Sequence, residues 1–217
     1  MIHNLLFCFL IGMITAYLLE LLTNRLLKLY QLSYTRQPIY YLLAPFIAFL
    51  VTYHTKSLPM TEQIFTYWIS YSFLCLLLIV AVMDCYTLEV RHRFVLLMAL
   101  LGILQHLLLG KPSLMEMGMG FFAAGLPLLI ISILTKGSIG GGDIKLLASC
   151  GLVLGPISIL LGTFLGIVLG GIYGLFLLVF HKKQKQDALP FVPFLALGLG
   201  IAYLWGDSII YWYFSLF

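Results

Sequence analysis

Long apolar runs separated by short polar stretches set the pattern of this chain. A bilayer-spanning helix needs about 20 apolar residues, roughly 17–25. Candidate spans by that measure are 4–24, 39–53, 64–83, 94–110, 115–135, 144–154, 157–180 and 191–215. The second and sixth are short for a full crossing, and 144–180 also reads as one long span with a broken start. The pattern predicts an all-α polytopic transmembrane helix bundle of six to eight helices, with eight favoured. No internal repeat, long linker or low-complexity tract divides it, so one integral-membrane domain over 1–217 is expected.

Composition sharpens that picture. The chain is 62% hydrophobic and 9% charged, with a mean hydropathy of +1.08. Soluble domains carry roughly 25% charged residues, so this chain cannot cover itself with a water-facing surface. The net charge of +4 is not a nucleic-acid signal, because the basic residues sit in short clusters between apolar runs. Met1-Ile2-His3-Asn4 lacks the basic flank of a secretory signal, and Arg25 and Lys28 follow the first run instead. A retained first helix with its N-terminus outside is therefore expected. Cytoplasmic loops would then be 25–38, 84–93, 136–143 and 181–190. With adjacent Lys145 they hold Arg25, Lys28, Arg36, Arg91, Arg93, Lys136, Lys182, Lys183 and Lys185, leaving only Lys56 and Lys111 of the 12 Lys and Arg outside.

Cys8, Cys75, Cys85 and Cys150 show no C-x-x-C spacing. Three lie in apolar runs, where a small buried hydrophobe is the ordinary role. Neither a disulfide framework nor a four-ligand zinc site is expected.

Two carboxylates stand out. Asp84 ends the apolar run Leu76 to Met83, and Asp143 follows Gly140, Gly141 and Gly142 at the start of another. A carboxylate at membrane depth is costly and marks a functional site by default. Glycines let another chain come close, as a peptidase needs when its substrate lies extended along the catalytic backbone. Two acids brought together resist double ionisation and share a proton. The ionised member can activate water while the protonated one polarises a carbonyl, which is metal-free aspartic-protease chemistry. The competing structural readings are two helix-boundary aspartates in polar headgroups, or ion pairs with Arg91, Arg93 or Lys145.

Gly140-Gly141-Gly142-Asp143-Ile144-Lys145 resembles the Gly-x-Gly-Asp-x-Lys signature of the type IV prepilin peptidases, intramembrane aspartyl proteases. Asp84-Cys85-Tyr86-Thr87 is similar to the family's first catalytic aspartate with its polar turn. Pro190-Phe191-Val192-Pro193-Phe194-Leu195-Ala196-Leu197-Gly198 is similar to its late Pro-Phe-Gly-Pro-Phe-Leu-Ala-x-Gly segment, with Val192 at the usual glycine. The resemblance implies Asp84 and Asp143 as catalytic, with Gly140, Gly141, Gly142 and Lys145 supporting loop and substrate. It implies removal of a short basic leader from a prepilin or pseudopilin, after a glycine, at the cytoplasmic face of the bacterial cytoplasmic membrane. A role in type IV pili, type II secretion or competence would follow, with the lipid bilayer and the precursor as partners and no nucleic acid. Oligomeric state is left open.

There are departures. Val90-Arg91 stands where family members often carry Ile-Pro, and residues 25–38 lack the paired C-x-x-C motifs of the larger bifunctional members. No separate zinc-binding cytoplasmic domain is therefore expected. The stretch linked with N-methylation is only faintly echoed by Gly12-Met13-Ile14-Thr15. No cofactor is expected for proteolysis; methyl transfer, if retained, would require S-adenosylmethionine.

Glu20 is read as an interfacial acid, with a role toward a methyl donor or substrate as its functional alternative. The stripe Gly162, Gly166, Gly170 and Gly174 is read as helix packing, with a substrate groove as the alternative. A Cys85–His92 nucleophilic pair would leave the glycine run without a role. His54 and His106 are expected at interfaces, and Asp207 near the outer surface. Two other functions stay open: a transporter using Asp84 and Asp143 as a cation or proton site, and a presenilin-like protease, whose Pro-Ala-Leu motif is missing.

Overall fold

The computed structural model describes residues 2–29, 38–137, 139–180 and 189–216, with the side chains of 2–8 excepted. These form seven helical elements: α1 (Ile2–Leu29), α2 (Pro38–Thr55), α3 (Met60–Thr87), α4 (His92–Leu109), α5 (Leu114–Leu134), α6 (Gly141–Val179) and α7 (Val192–Phe214). Among the described residues there is no strand. All seven elements are long and apolar enough to cross a bilayer, which makes this an integral membrane protein. Large apolar side chains such as Leu96, Leu107, Phe164, Ile172 and Leu175 face outward, a surface suited to lipid rather than water.

The backbone divides into two compact units, Met1–Cys75 and Leu76–Phe217, with the boundary inside α3. In the first, α1 packs on α2 through small residues. Ala16, Ala44 and Ala48 are fully buried, and a side chain at Gly12 would collide with the backbone of Pro45. The hydroxyl of Thr15 is bonded to that of Tyr71. Glu20 does not snorkel to a free surface: it is 7% exposed, and the Tyr41 hydroxyl donates to its Oε2 at 2.7 Å. Thr23 and Tyr40 share a buried hydroxyl–hydroxyl bond of 2.6 Å, while both amide atoms of buried Asn24 lack a partner among the described residues.

The second unit is built around α6, which packs on α4, α5 and α7. Its helical geometry fails at one residue, Gly155, with φ 74° and ψ 178°, followed by Pro156. That φ favours glycine, and proline is at home at the start of a helix. The break is a reversal. Gly142 packs against Val90, six positions after Asp84, and Gly170 packs against the Phe191 ring, next to Val192, whose amide binds Asp84. An unbroken helix from Gly142 to Gly170 would put those glycines about 42 Å apart, so the arms 141–154 and 156–179 must run antiparallel. Among the described residues there are seven helices counted by element and eight counted by arm, and Gly155 lies between the sixth and seventh predicted segments.

Glycines clamp both arms. Gly120 of α5 and Gly151 of the first arm meet backbone to backbone. On the second arm Gly162 and Gly166 meet Leu199 and Leu195 of α7, with Gly198 seated between the two glycines. The glycine stripe is thus a packing surface, with Gly174 facing Leu189 at its end.

Candidate active site

Asp84 lies in the last turn of α3 rather than beyond it, and is 5% exposed. Helix α3 runs further than the apolar pattern because Cys85, Tyr86 and Thr87 complete its final turn; the Thr87 hydroxyl donates to the Met83 carbonyl at 2.9 Å. Leu88 then adopts a left-handed conformation, φ 52°, costly for a branched side chain. Its amide closes the helix on the Asp84 carbonyl at 2.9 Å. Extended residues up to Arg91 lead into α4 and set Val90 against Gly142.

Asp143 is the third residue of α6, whose N-cap is Gly140. The approach to it is tied down. After α5, Lys136 and Gly137 are left-handed, the Gly137 amide reaches back to the Ser132 carbonyl at 2.7 Å, and the Ser132 hydroxyl donates to the Ile139 carbonyl at 3.0 Å. This is a Schellman-type ending that delivers the chain directly into the glycine run.

The three glycines have different jobs. A Cβ at Gly140 would lie 3.2 Å from Asp143 Oδ2, so the carboxylate folds back over that bare α-carbon. A Cβ at Gly142 would lie 3.0 Å from the Cβ of Val90. Gly141 faces open space. Space is therefore tight at the first and third positions and free at the middle one, which is the Gly-x-Gly-Asp pattern seen from inside. The exposed Gly141 is also where an extended peptide can approach.

The two acids come together. Asp84 and Asp143 are close enough for their charges to act on one another, although they come from the end of one helix and the start of another. Their surroundings differ. Asp84 Oδ2 accepts from the buried amide of Val192 at 3.0 Å, and the Phe191 amide bonds to the same carboxylate. These are the first amides of α7, whose N-cap is Phe191 with Pro at the start, so a carboxylate from 108 positions earlier caps that helix. Asp143 makes no side-chain hydrogen bond among the described residues.

Lys145 is exposed and makes no ion pair with either aspartate among the described residues. Cys85 is exposed, and no bond joins it to His92 among the described residues. Cys75 and Cys150 are free and buried; the side chain of Cys8 lies outside the described residues. Among the described residues no three His, Cys, Asp or Glu side chains gather as a metal site. The Val192 contact escaped the sequence reading. Its one signal was the proline-flanked helix start at 190–193.

Residues 71–175, which contain both aspartates and the glycine run, match the type IV leader peptidase family. Similar chains include three proteins each named prepilin leader peptidase/N-methyltransferase. That of Bacillus subtilis (strain 168) is 35% identical over 144 residues, 66% of this chain and 58% of the relative. That of Aeromonas hydrophila is 42% identical over 125 residues, 54% of this chain and 42% of the relative. That of Legionella pneumophila is 43% identical over 82 residues, 36% and 27% of the two chains. The chain thus spans little more than half of the first relative's length, and less of the other two. No solved structure matches.

Proposed function

We propose that this chain, which belongs to the type IV leader peptidase family, is a membrane-embedded aspartic endopeptidase that removes the short basic leader of prepilin or pseudopilin precursors. The observation that carries the reading is the placing of Asp84 and Asp143 at one end of the second unit, where Gly142, beside Asp143, packs against Val90, six positions after Asp84, and the charge of Asp84 acts on Asp143. Two carboxyls sharing one proton supply both a base for water and an acid for the scissile carbonyl. The open face at Gly141 supplies the approach for an extended substrate.

The active site faces the cytoplasm of a bacterium in this proposal. The basic residues around Asp84 and Asp143 support that side, since cytoplasmic loops carry the excess of Lys and Arg. A leader that stays in the cytoplasm while its helix lies in the bilayer fits the same orientation. The whole of 1–217 acts as the peptidase domain, and proteolysis needs no cofactor.

Methyl transfer is not part of the proposal. The stretch expected to serve it has Gly12 filled by Pro45, and the Thr15 hydroxyl is committed to Tyr71 and to the Ile11 and Gly12 carbonyls. No step is routed through S-adenosylmethionine.

The test is cleavage of a purified prepilin in detergent, without any gradient, followed by N-terminal sequencing of the product. A new N-terminus immediately after the leader glycine is expected. A chain that leaves the precursor intact, while moving a cation or protons in liposomes, would favour the transporter instead.

A further inference from the structure

Asp84 and Asp143 are chemically identical, yet the fold treats them differently. Asp84 is met by two amides that open α7. The N-terminal end of a helix carries partial positive charge and unsatisfied N–H groups, so it favours an anion. Asp143 also stands in a first helical turn, that of α6, but no described amide bonds to its carboxylate. Direct charge-assisted bonds to a carboxylate outweigh the dipole of a helix alone. The charge facing Asp143 is that of Asp84. Lys145 is exposed and makes no ion pair with either acid among the described residues, and Cys85 is the thiol adjoining Asp84 on α3.

We infer that the amides opening α7, Val192 above all, hold Asp84 as the charged member of the pair and so make it the general base, leaving the shared proton and the acid role to Asp143. The assignment rests on the proteolytic reading above. Asp84 takes a proton from water as the water oxygen bonds to the scissile carbonyl carbon. Asp143 gives its proton to the carbonyl oxygen, and a gem-diol forms. Asp84 then passes its new proton to the leaving nitrogen as the C–N bond breaks. Asp143 recovers a proton from one diol hydroxyl as the new carboxylic acid forms. Both acids return to their starting states, and one water is consumed per bond cut.

In this arrangement Val192 is a positioning residue acting through its main chain. The segment 190–193 thereby joins the apparatus although it contributes no reacting atom.

The assignment is tested on the full chain in detergent with a purified prepilin. Asp84→Ala empties the carboxylate position but leaves the α7 amides, a ready anion site for added formate. Formate should restore Asp84→Ala turnover about tenfold or more over its residual rate, and leave Asp143→Ala unrestored. Replacing the 191–192 peptide bond with an ester, by incorporating the α-hydroxy analogue of valine at 192, deletes only the donor. That enzyme should lose about tenfold in kcat with KM unchanged, and formate rescue of Asp84→Ala should vanish in the ester background. A purely structural cap would lower the melting temperature and leave kcat of the folded fraction intact. Rescue of Asp143→Ala instead, of both or of neither, or an ester enzyme with unchanged kcat, overturns the assignment. If the unmodified chain cleaves nothing, it is the proteolytic reading that fails, a result distinct from an active enzyme with the wrong asymmetry.

Discussion

Gly140 and Asp143 share one small volume: a Cβ on the glycine would stand 3.2 Å from the aspartate's Oδ2. Gly140→Ala should therefore displace the carboxylate by a few tenths of an ångström, and that loss of alignment should lower kcat by up to about tenfold. Gly141→Ala meets nothing within 4 Å and should keep near wild-type kcat, with up to about 1 kcal/mol gained from helix propensity. Precursor cleavage and thermal melting of the two variants side by side check this. Equal loss in both would refute the separate roles of the glycines.

Asp84→Asn and Asp143→Asn keep size and hydrogen-bonding capacity while removing the titrating group. Each should fold and each should abolish leader cleavage, because one carboxylate cannot act as both acid and base. The double variant should be no worse than either single one, as for residues acting as a unit. Chelators should leave the native rate unchanged. Cleavage by either single variant near the native rate, at normal expression, would remove that residue from the proposed pair.

Reporter fusions after residues 30, 88, 139 and 185 should behave as cytoplasmic, and fusions at 57 and 112 as external. The reversal at Gly155 is what allows 139 and 185 to share a side. Opposite sides for 88 and 139 would separate the two aspartates and end the mechanism.

Gly198→Ala should be destabilising, since the new methyl would collide with the backbone of Gly162 and Gly166. Overpacking of this kind costs typically about 1–3 kcal/mol. Gly174→Ala, whose nearest foreign atom lies 3.7 Å away on Leu189, should melt like the native protein. Melting temperatures in one detergent decide between them.

The mature product should carry little or no methyl group at its new N-terminus. Mass spectrometry of that product reads this directly. A stoichiometric gain of one methyl group that depends on this chain would contradict the expectation.

The apolar pattern located nearly every helix because each must bridge the same hydrocarbon thickness. It misjudged their ends for the same reason. It ended the first span at 24, whereas α1 continues to Leu29 through Arg25 and Lys28. Polar residues at a membrane surface need not stop a helix. The break near 155 was legible, since Gly155-Pro156 punctuates an otherwise unbroken run, but its fold-back depends on contacts with α5 and α7 that no local pattern encodes. Asp84 and Asp143 were legible as expensive charges in apolar surroundings. The bond from Val192 to Asp84 was not, because it depends on docking a helix start against a helix end 108 positions earlier. The burial of Glu20 was not legible, because a lone acid near a helix end looks solvent-facing until its tyrosine partner on the next helix is known.

The hairpin at Gly155 also bears on how the protein enters its membrane. Its first arm, 141–154, is about 21 Å long, short of the roughly 30 Å hydrocarbon core, and carries Asp143 and Lys145 at its mouth. Such a segment is a poor anchor by itself. The second arm, 156–179, reaches about 36 Å, long enough to cross the hydrocarbon core by itself. The energetics of insertion therefore favour both arms entering together, so one of the two acids reaches its working depth only when the ribosome has already made the helix that follows it.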